Sequence, residues 1–359
     1  MTAESPGCGR VIGVGASMGG RYTSAMTADR VSLVIPGRNC QRTLRSCLAA
    51  VVPMLERTRL DEIVFVDDGS TDDTARIAAE FPVRCLAGSG AGRGAARNLG
   101  WRAARHPLIW FVDSDCVAEP DALSALLPHL DDPRVGCVGG SYGNMEEDSL
   151  LACLIHEEIV QRHLAMPPRV NFLATFNVIY RKSVLEEVSG FNERFLRGQD
   201  AELAWRVLEA GYELAFDIRS KVRHFHPIAW RSYLRTQRHQ GYWRVFLHSA
   251  HRGHAAGDSY SSLLDHLQPP VALLGLVSLP LAFFSPTWWV PAVLMLVLWA
   301  AQLPLAWRLV RRTRRPRYFA FTLMSFLRAF WRAVGMGQGV LAALRERLRG
   351  RAETRRAVE

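Results

Sequence analysis

Leu108-Ile-Trp-Phe-Val-Asp-Ser-Asp115 is a short apolar run, aromatic and β-branched in its second half, that ends in two carboxylates. Such a run reads as a β-strand. Working outward, similar runs stand at 31–35, 63–66 and 83–86, with amphipathic stretches between them, and the alternation continues to about residue 217. This predicts βαβ units around a mostly parallel, Rossmann-like central sheet. Ligands of such sheets bind beyond the carboxyl ends of the strands, so chemistry is expected where each run stops.

The first run leads into Pro36-Gly-Arg-Asn39 and the second into Val66-Asp-Asp-Gly-Ser-Thr-Asp-Asp-Thr74. Asp68 is placed to accept hydrogen bonds from a ribose or from the N–H of a base. The same stretch also supplies helix caps in Ser70, Thr71 and Asp72, and the two readings are compatible. Next comes the loop Gly88-Ser-Gly-Ala-Gly-Arg-Gly-Ala-Ala-Arg-Asn-Leu-Gly100. Its small residues let backbone amides approach an anion, and Arg93 and Arg97 add positive charge, so a diphosphate is the expected guest. At the fourth strand end, Asp113 and Asp115 are two apart. In an extended segment they face the same way and can meet one Mg2+ or Mn2+ ion together.

Taken in order, Ile35-Pro-Gly-Arg-Asn39, Val66-Asp-Asp-Gly-Ser-Thr71, Gly94-Ala-Ala-Arg-Asn98 and Asp113-Ser-Asp115 resemble the successive motifs of glycosyltransferase family 2. The resemblance covers about residues 31–225. It implies a nucleotide-diphospho-sugar transferase fold and an inverting, metal-assisted transfer. It also implies that Pro36, Asn39 and Asp68 line the nucleoside pocket while Asp113 and Asp115 hold ribose and metal, with Asp115 the main metal ligand. The family's acceptor-side signature continues as Ser189-Gly-Phe-Asn-Glu-Arg-Phe-Leu-Arg-Gly-Gln-Asp-Ala-Glu-Leu203. Asp200 then stands in the position of the catalytic base, although a helix cap is its other reading.

Two positions depart from that pattern. Gln199 replaces the usual Glu before Asp200, and Gly37-Arg38 replaces a pair such as Ala-Tyr, which leaves Arg38 to stack on the base or bind phosphate. His224 and His226, in Val222-Arg-His-Phe-His226, share one face of an extended segment and are candidates for holding the metal or the diphosphate. Gln240-Gly-Tyr-Trp-Arg244 lacks the order of the Gln-x-x-Arg-Trp motif of processive synthases, so addition of a single sugar is expected.

The net charge of +10 is local: residues 308–359 hold 14 arginines and three glutamates, leaving about −1 for residues 1–307. A basic cluster next to an apolar stretch suits anionic lipid rather than nucleic acid, which is not expected as a partner. Seven cysteines without a CxxC pair read as buried thiols of a reducing compartment.

Residues 271–307 carry no charge over 37 positions and are interrupted by Ser285-Pro286-Thr287. Two helices of about 17 to 20 residues fit this segment to the bilayer, so a C-terminal transmembrane hairpin is expected. The arginines after it place the flanks in the cytoplasm, making the chain a multi-pass protein of the cytoplasmic (inner) membrane with its catalytic domain facing inward. Residues 318–344, with Arg328 and Arg332 four apart, suggest a helix lying in the membrane interface.

The expected organisation is therefore a flexible leader at 1–30, a catalytic domain at 31–230, an amphipathic connector at 231–268, the hairpin at 269–310, and a basic loop, interfacial helix and tail at 311–359. The glycine-rich segment 13–20 has too little apolar sequence before it for a dinucleotide-binding loop, and Met26 is an alternative start. The expected donor is a nucleotide-diphospho-sugar and the expected acceptor a lipid-linked or other glycan. Two rivals are a nucleotidyltransferase, whose lysine-containing triphosphate loop is missing after the first strand, and a catalytically inactive membrane scaffold.

Overall fold

The computed structural model describes residues 29–250, 258–261, 263–284 and 286–358. The glycine-rich segment of the leader and part of the connector lie outside these residues. In chain order the elements are β1 (Val31–Gly37), α1 (Leu44–Val51), β2 (Leu60–Asp67), α2 (Thr74–Ala78), β3 (Arg84–Ala87), α3 (Arg93–Ala103) and β4 (Leu108–Val112). They continue with β5 (Cys116–Ala118), α4 (Ala122–Leu126), β6 (Val135–Asn144), α5 (Leu150–Ala165), β7 (Arg169–Val170), β8 (Asn177–Arg181), α6 (Lys182–Glu187), α7 (Gln199–Glu209) and β9 (Glu213–His224). Five helices close the chain: α8 (Trp230–Ala250), α9 (Leu263–Val277), α10 (Trp289–Ala300), α11 (Leu303–Thr313) and α12 (Phe321–Val358).

The nine strands form one sheet in the order β3-β2-β1-β4-β8-β6-β9-β5, with β7 also on β9. The first four are parallel. The rest of the sheet is mixed, because β8 runs antiparallel to β4 and β6, and β5 and β7 run antiparallel to β9. Both faces of the parallel half are covered by helices, so alternate residues of one strand enter opposite cores: Leu33 and Ile35 pack with Leu44 and Leu48, and Val34 packs with Val66 and Trp101. Burial on both sides is why β1, β2 and β4 read as continuous apolar runs, while β3 at the edge is largely exposed. Gly100 lets α3 lie flat on β1, since a Cβ there would strike the Val34 side chain. That close approach sets the position of Arg93 and Arg97 on the same helix.

Helices α8 and α12 are closely packed along each other. Gly241 of α8 meets the Arg332 carbonyl and Gly335 of α12 meets the Arg238 carbonyl, with no room for a Cβ at either point. This packing corrects the interfacial reading of Arg328 and Arg332. Arg328 is 4% exposed and donates to Glu158 of α5 at 2.5 Å, while Arg332 donates to Gln237 of α8 at 2.8 Å. Both arginines face protein, because their partners stand on helices distant in sequence. The outward side of α12 carries Leu323, Trp331, Val334 and Leu341 instead.

The two equal spans expected for the hairpin are also corrected. Helix α9 has 15 residues, about 22 Å at the helical rise, and that is short of the ~30 Å hydrocarbon core. Its first turn carries Asp265, which pairs with Arg162 of α5 at 2.8 Å. Among the described residues one helical stretch, Trp289–Thr313, is long and apolar enough to cross a membrane. Its far end returns to the α/β domain, where Ala306 and Leu309 join a cluster with Leu151 and Leu154, and Arg312 pairs with Glu157 at 2.6 Å. Both ends of the apolar segment are thus fastened to α5. Between them an apolar tip is exposed, including Phe283 at 90% and Trp288 at 61%.

Candidate active site

The loops after β1, β2 and β4 meet at one end of the sheet. Asn39 has a positive φ of 51°, a conformation that asparagine tolerates better than most residues. Its side chain accepts from the Thr71 amide at 2.8 Å while its own amide donates to Ser70 Oγ at 2.9 Å, tying the first loop to the second. Pro36 pairs with Val66 just before this junction.

Asp68 is buried and accepts from the Gly90 and Gly92 amides at 2.9 and 2.8 Å. Both glycines have positive φ, so the carboxylate and the glycines together shape the loop that the sequence assigned to a diphosphate. Each Asp68 oxygen retains acceptor capacity toward a ligand. Arg38 lies over the same loop, reaching the Gly90 carbonyl at 3.4 Å.

Asp113 and Asp115 do not stand on the extended segment expected of them, although both line one cavity. Strand β4 ends at Val112, and the next residues make a turn closed by the Cys116 amide on the Asp113 carbonyl at 3.0 Å. The turn sends the carboxylates to different partners. Asp113 takes a 2.6 Å bond from Arg97, which is 2% exposed and crosses from α3 beneath the site. Arg97 Nε and Nη1 are buried without a partner among the described residues. Arg93, one turn earlier, lines the cavity, and Asp113 and Asp115 raise its pKa.

Asp115 instead faces His224, with Nε2 and Oδ2 3.5 Å apart. The register explains the meeting, since β5 pairs with β9 so that Cys116 sits opposite His224. Burial by itself would raise the Asp115 carboxyl, but His224 and then Arg93 outweigh it and hold the group well below the ordinary carboxylate range. Ligand atoms of Asp115, Cys116 and His224 all lie within 4.8 Å of one another. Burial pushes the Cys116 thiol far up, which keeps it protonated and leaves carboxylate and imidazole as the donors. That pair suits Mn2+ or Mg2+.

His226 stands behind His224, 2% exposed, with the two Nδ1 atoms 3.0 Å apart. Burial pushes its ring down to about 2, so it is neutral. With a metal ion bound, the His224 proton would sit on Nδ1 and be donated to His226, freeing His224 Nε2 as a ligand atom beside Asp115. This is the outer-shell arrangement that orients a ligating histidine.

Asp200 opens α7 after Gly198, whose φ of 77° makes the turn. It lines the same cavity as Arg93, Asp115 and His224. Burial raises its carboxyl above the ordinary value, offset in part by the Ala201 amide and Arg97. Gln199 is buried beside Gly94 with its Oε1 unpartnered among the described residues.

The cavity, about 780 Å³, also takes in residues that the sequence did not assign to the site: Tyr142, Arg197 and, from the C-terminal layer, Arg332. Tyr142 stacks on Phe176 and has its edge toward His224. Nothing local in the sequence marks these three, since they reach the site only through sheet pairing and helix packing.

Residues 32–189 match the family model "Glycosyl transferase family 2". The chain is 28% identical over 219 residues to the pre-mycofactocin glycosyltransferase of Mycobacterium tuberculosis, an alignment covering 57% of this chain and 44% of that protein. It is 25% identical over 213 residues to the O-antigen chain rhamnosyltransferase of Salmonella typhimurium, covering 55% of this chain and 67% of that one. The chain thus spans under half the length of its mycobacterial relative. The fold is similar to that of a mannosyltransferase from Pyrobaculum calidifontis solved with GDP-mannose and Mn2+, at a TM-score of 0.55 and 20% identity over 87% of this chain and 88% of that one. The match at residues 32–189, the similarity to curated glycosyltransferases and the mixed α/β fold together support a family 2 glycosyltransferase domain in this chain.

Proposed function

We propose that this protein transfers one sugar, with inversion, from a nucleotide-diphospho-sugar to an acceptor at the cytoplasmic face of the membrane. The observation that carries the proposal is the convergence of Asp200, Arg93 and the Asp115–His224 pair on one cavity. The nucleoside lies against Pro36, Asn39, Asp68 and Arg38, and the diphosphate against the glycine loop, Arg93 and the free donors of Arg97. Asp115 and His224 would hold Mn2+ or Mg2+, and what such an ion supplies is neutralisation of charge on the departing nucleoside diphosphate.

Transfer is a single displacement. The acceptor oxygen forms a bond to the anomeric carbon from the side opposite the diphosphate, the sugar–oxygen bond to phosphate breaks, and the acceptor proton passes to Asp200. A pKa raised by burial makes Asp200 a stronger base than an exposed carboxylate.

Membrane attachment runs through the apolar segment whose two ends are fastened to α5. That arrangement keeps the catalytic domain and the arginines after Thr313 on one side, which the positive-inside rule makes the cytoplasm of the inner membrane. A lipid-linked acceptor, polyprenyl or glycolipid, in cell-envelope or exopolysaccharide synthesis follows from that location. The test incubates the purified protein with a panel of nucleotide sugars and membrane lipid extract, with Mn2+ or with chelator. Metal-dependent release of nucleoside diphosphate from one donor is expected; no release from any donor overturns the proposal.

A further inference from the structure

The cavity continues beyond the carboxylates, under α8 and α12, to a second group of arginines: Arg162, Arg244, Arg328 and Arg332. Two of these are neutralised. Arg162 pairs with Glu158 at 2.6 Å and Asp265 at 2.8 Å, and Arg328 pairs with Glu158 at 2.5 Å.

Arg244 and Arg332 are held differently. Arg244 donates to His248 Nε2 at 3.4 Å and meets His266 Nε2 at 3.0 Å, while Arg332 donates to the Gln237 and Gln240 amide oxygens at 2.8 and 3.3 Å. A guanidinium has no acceptor atom, so a ring nitrogen at hydrogen-bond distance from it must be unprotonated. None of the four partners is a carboxylate, and neither guanidinium has a carboxylate within ion-pair distance among the described residues. The two side chains are oriented but not neutralised.

Their electrostatics agree with that geometry. Burial lowers Arg244, and burial together with Arg328 pushes Arg332 down to about 10, with Arg244 acting in the same direction. An anion placed between them relieves both effects. The donor diphosphate has its own cation in Arg93, whose electrostatic partners are Asp113, Asp115 and Asp200, whereas Arg244 responds first to Asp258 and then to Asp265, and Arg332 responds to Arg328, Asp265 and Arg244. The same part of the cavity is walled by Trp243, Leu247 and Met336, so its guest has an apolar portion beside the charge.

We propose that Arg244 and Arg332 bind a phosphate group of the acceptor, which is a phosphorylated amphiphile. This rests on the sugar-transfer reading above and names the class of acceptor. Two guanidinium forks supply several donors to a tetrahedral phosphate, and charge-assisted bonds of this kind are the strong ones.

The test measures equilibrium binding to the full-length protein in detergent, with farnesyl phosphate, farnesol and inorganic phosphate as probes. Farnesyl phosphate is expected to bind at least about tenfold more tightly than either of the others. Arg244→Gln and Arg332→Gln should each remove about tenfold of that affinity, Arg332→Lys should retain part of it, and nucleoside diphosphate binding should be unchanged as the check on folding. Equal binding of farnesol and its phosphate, or an unaltered preference in both glutamine variants, overturns the proposal. Inorganic phosphate binding as tightly as farnesyl phosphate overturns the amphiphile and leaves a free-phosphate site. Selective binding of farnesyl phosphate without nucleoside diphosphate release from any donor would uphold the subsite and overturn the transfer reading instead.

Discussion

Replacing Glu158 by Gln tests whether the C-terminal helices and the catalytic domain form one body. The Glu158 carboxylate is 4% exposed and accepts from Arg162 at 2.6 Å and Arg328 at 2.5 Å, joining α5 to α12. Burial alone would raise its pKa, but Arg328 and Arg162 outweigh burial and bring it from 4.5 to about 2. A depression of about 2.5 pH units corresponds to about 3 kcal/mol. Removing one partner of a buried ion pair costs about 3–5 kcal/mol, which agrees in size.

The sign follows from the depressed value. The stabilisation is fully present above the unfolded pKa of 4.5 and is lost as pH falls through about 2. Urea unfolding in mild detergent, followed by circular dichroism, should show the Gln variant less stable by about 3 kcal/mol at pH 7 and by about 2 kcal/mol at pH 3.5. A difference under about 1 kcal/mol at pH 7, or one that grows as pH falls, would refute the reasoning.

Four further outcomes are expected. Gly335→Ala puts a methyl group onto the Arg238 carbonyl, a backbone atom that cannot step aside; thermal unfolding should fall by several degrees, and an unchanged midpoint would mean that α8 and α12 do not pack this closely. His226→Phe removes the group behind His224 and should weaken Mn2+ binding by about 10- to 100-fold, read by Mn2+ paramagnetic resonance. Asp115→Asn should abolish that binding, and retention of full affinity in either variant would remove its residue from the site. Because burial raises the Asp200 carboxyl, the transfer rate should increase with pH through an apparent pKa above the ordinary 3.8; an acid limb at or below that value would contradict the burial described for Asp200.

Strands β1, β2 and β4 of the parallel half were legible because they are buried on both faces, so each run announced itself by apolar content alone. β4 begins and ends where the sequence put it. Less was legible at the strand ends, where turns rather than periodicity decide direction. The turn at residues 113–116 replaces the extended backbone and gives the two carboxylates different partners, Arg97 for Asp113 and His224 for Asp115. The antiparallel strands of the second half were not assigned individually, although the register of β5 on β9 is what brings His224 to Asp115. Charge reading failed for a different reason. Arg328 in an apolar helix looked like a residue reaching for water or head groups, and its actual partner, Glu158, stands 170 positions away. A buried ion pair leaves no local trace of its second member.

The most direct test of the central claim compares wild type with Asp200→Asn, measuring donor binding by calorimetry and sugar transfer by product formation with the donor that the panel identifies. Asparagine keeps the shape of the side chain but cannot accept the acceptor's proton. Nucleotide-sugar affinity should stay within a few-fold of wild type and transfer should be slower by about 10²- to 10⁴-fold. Unchanged transfer by the variant would contradict Asp200 as the base.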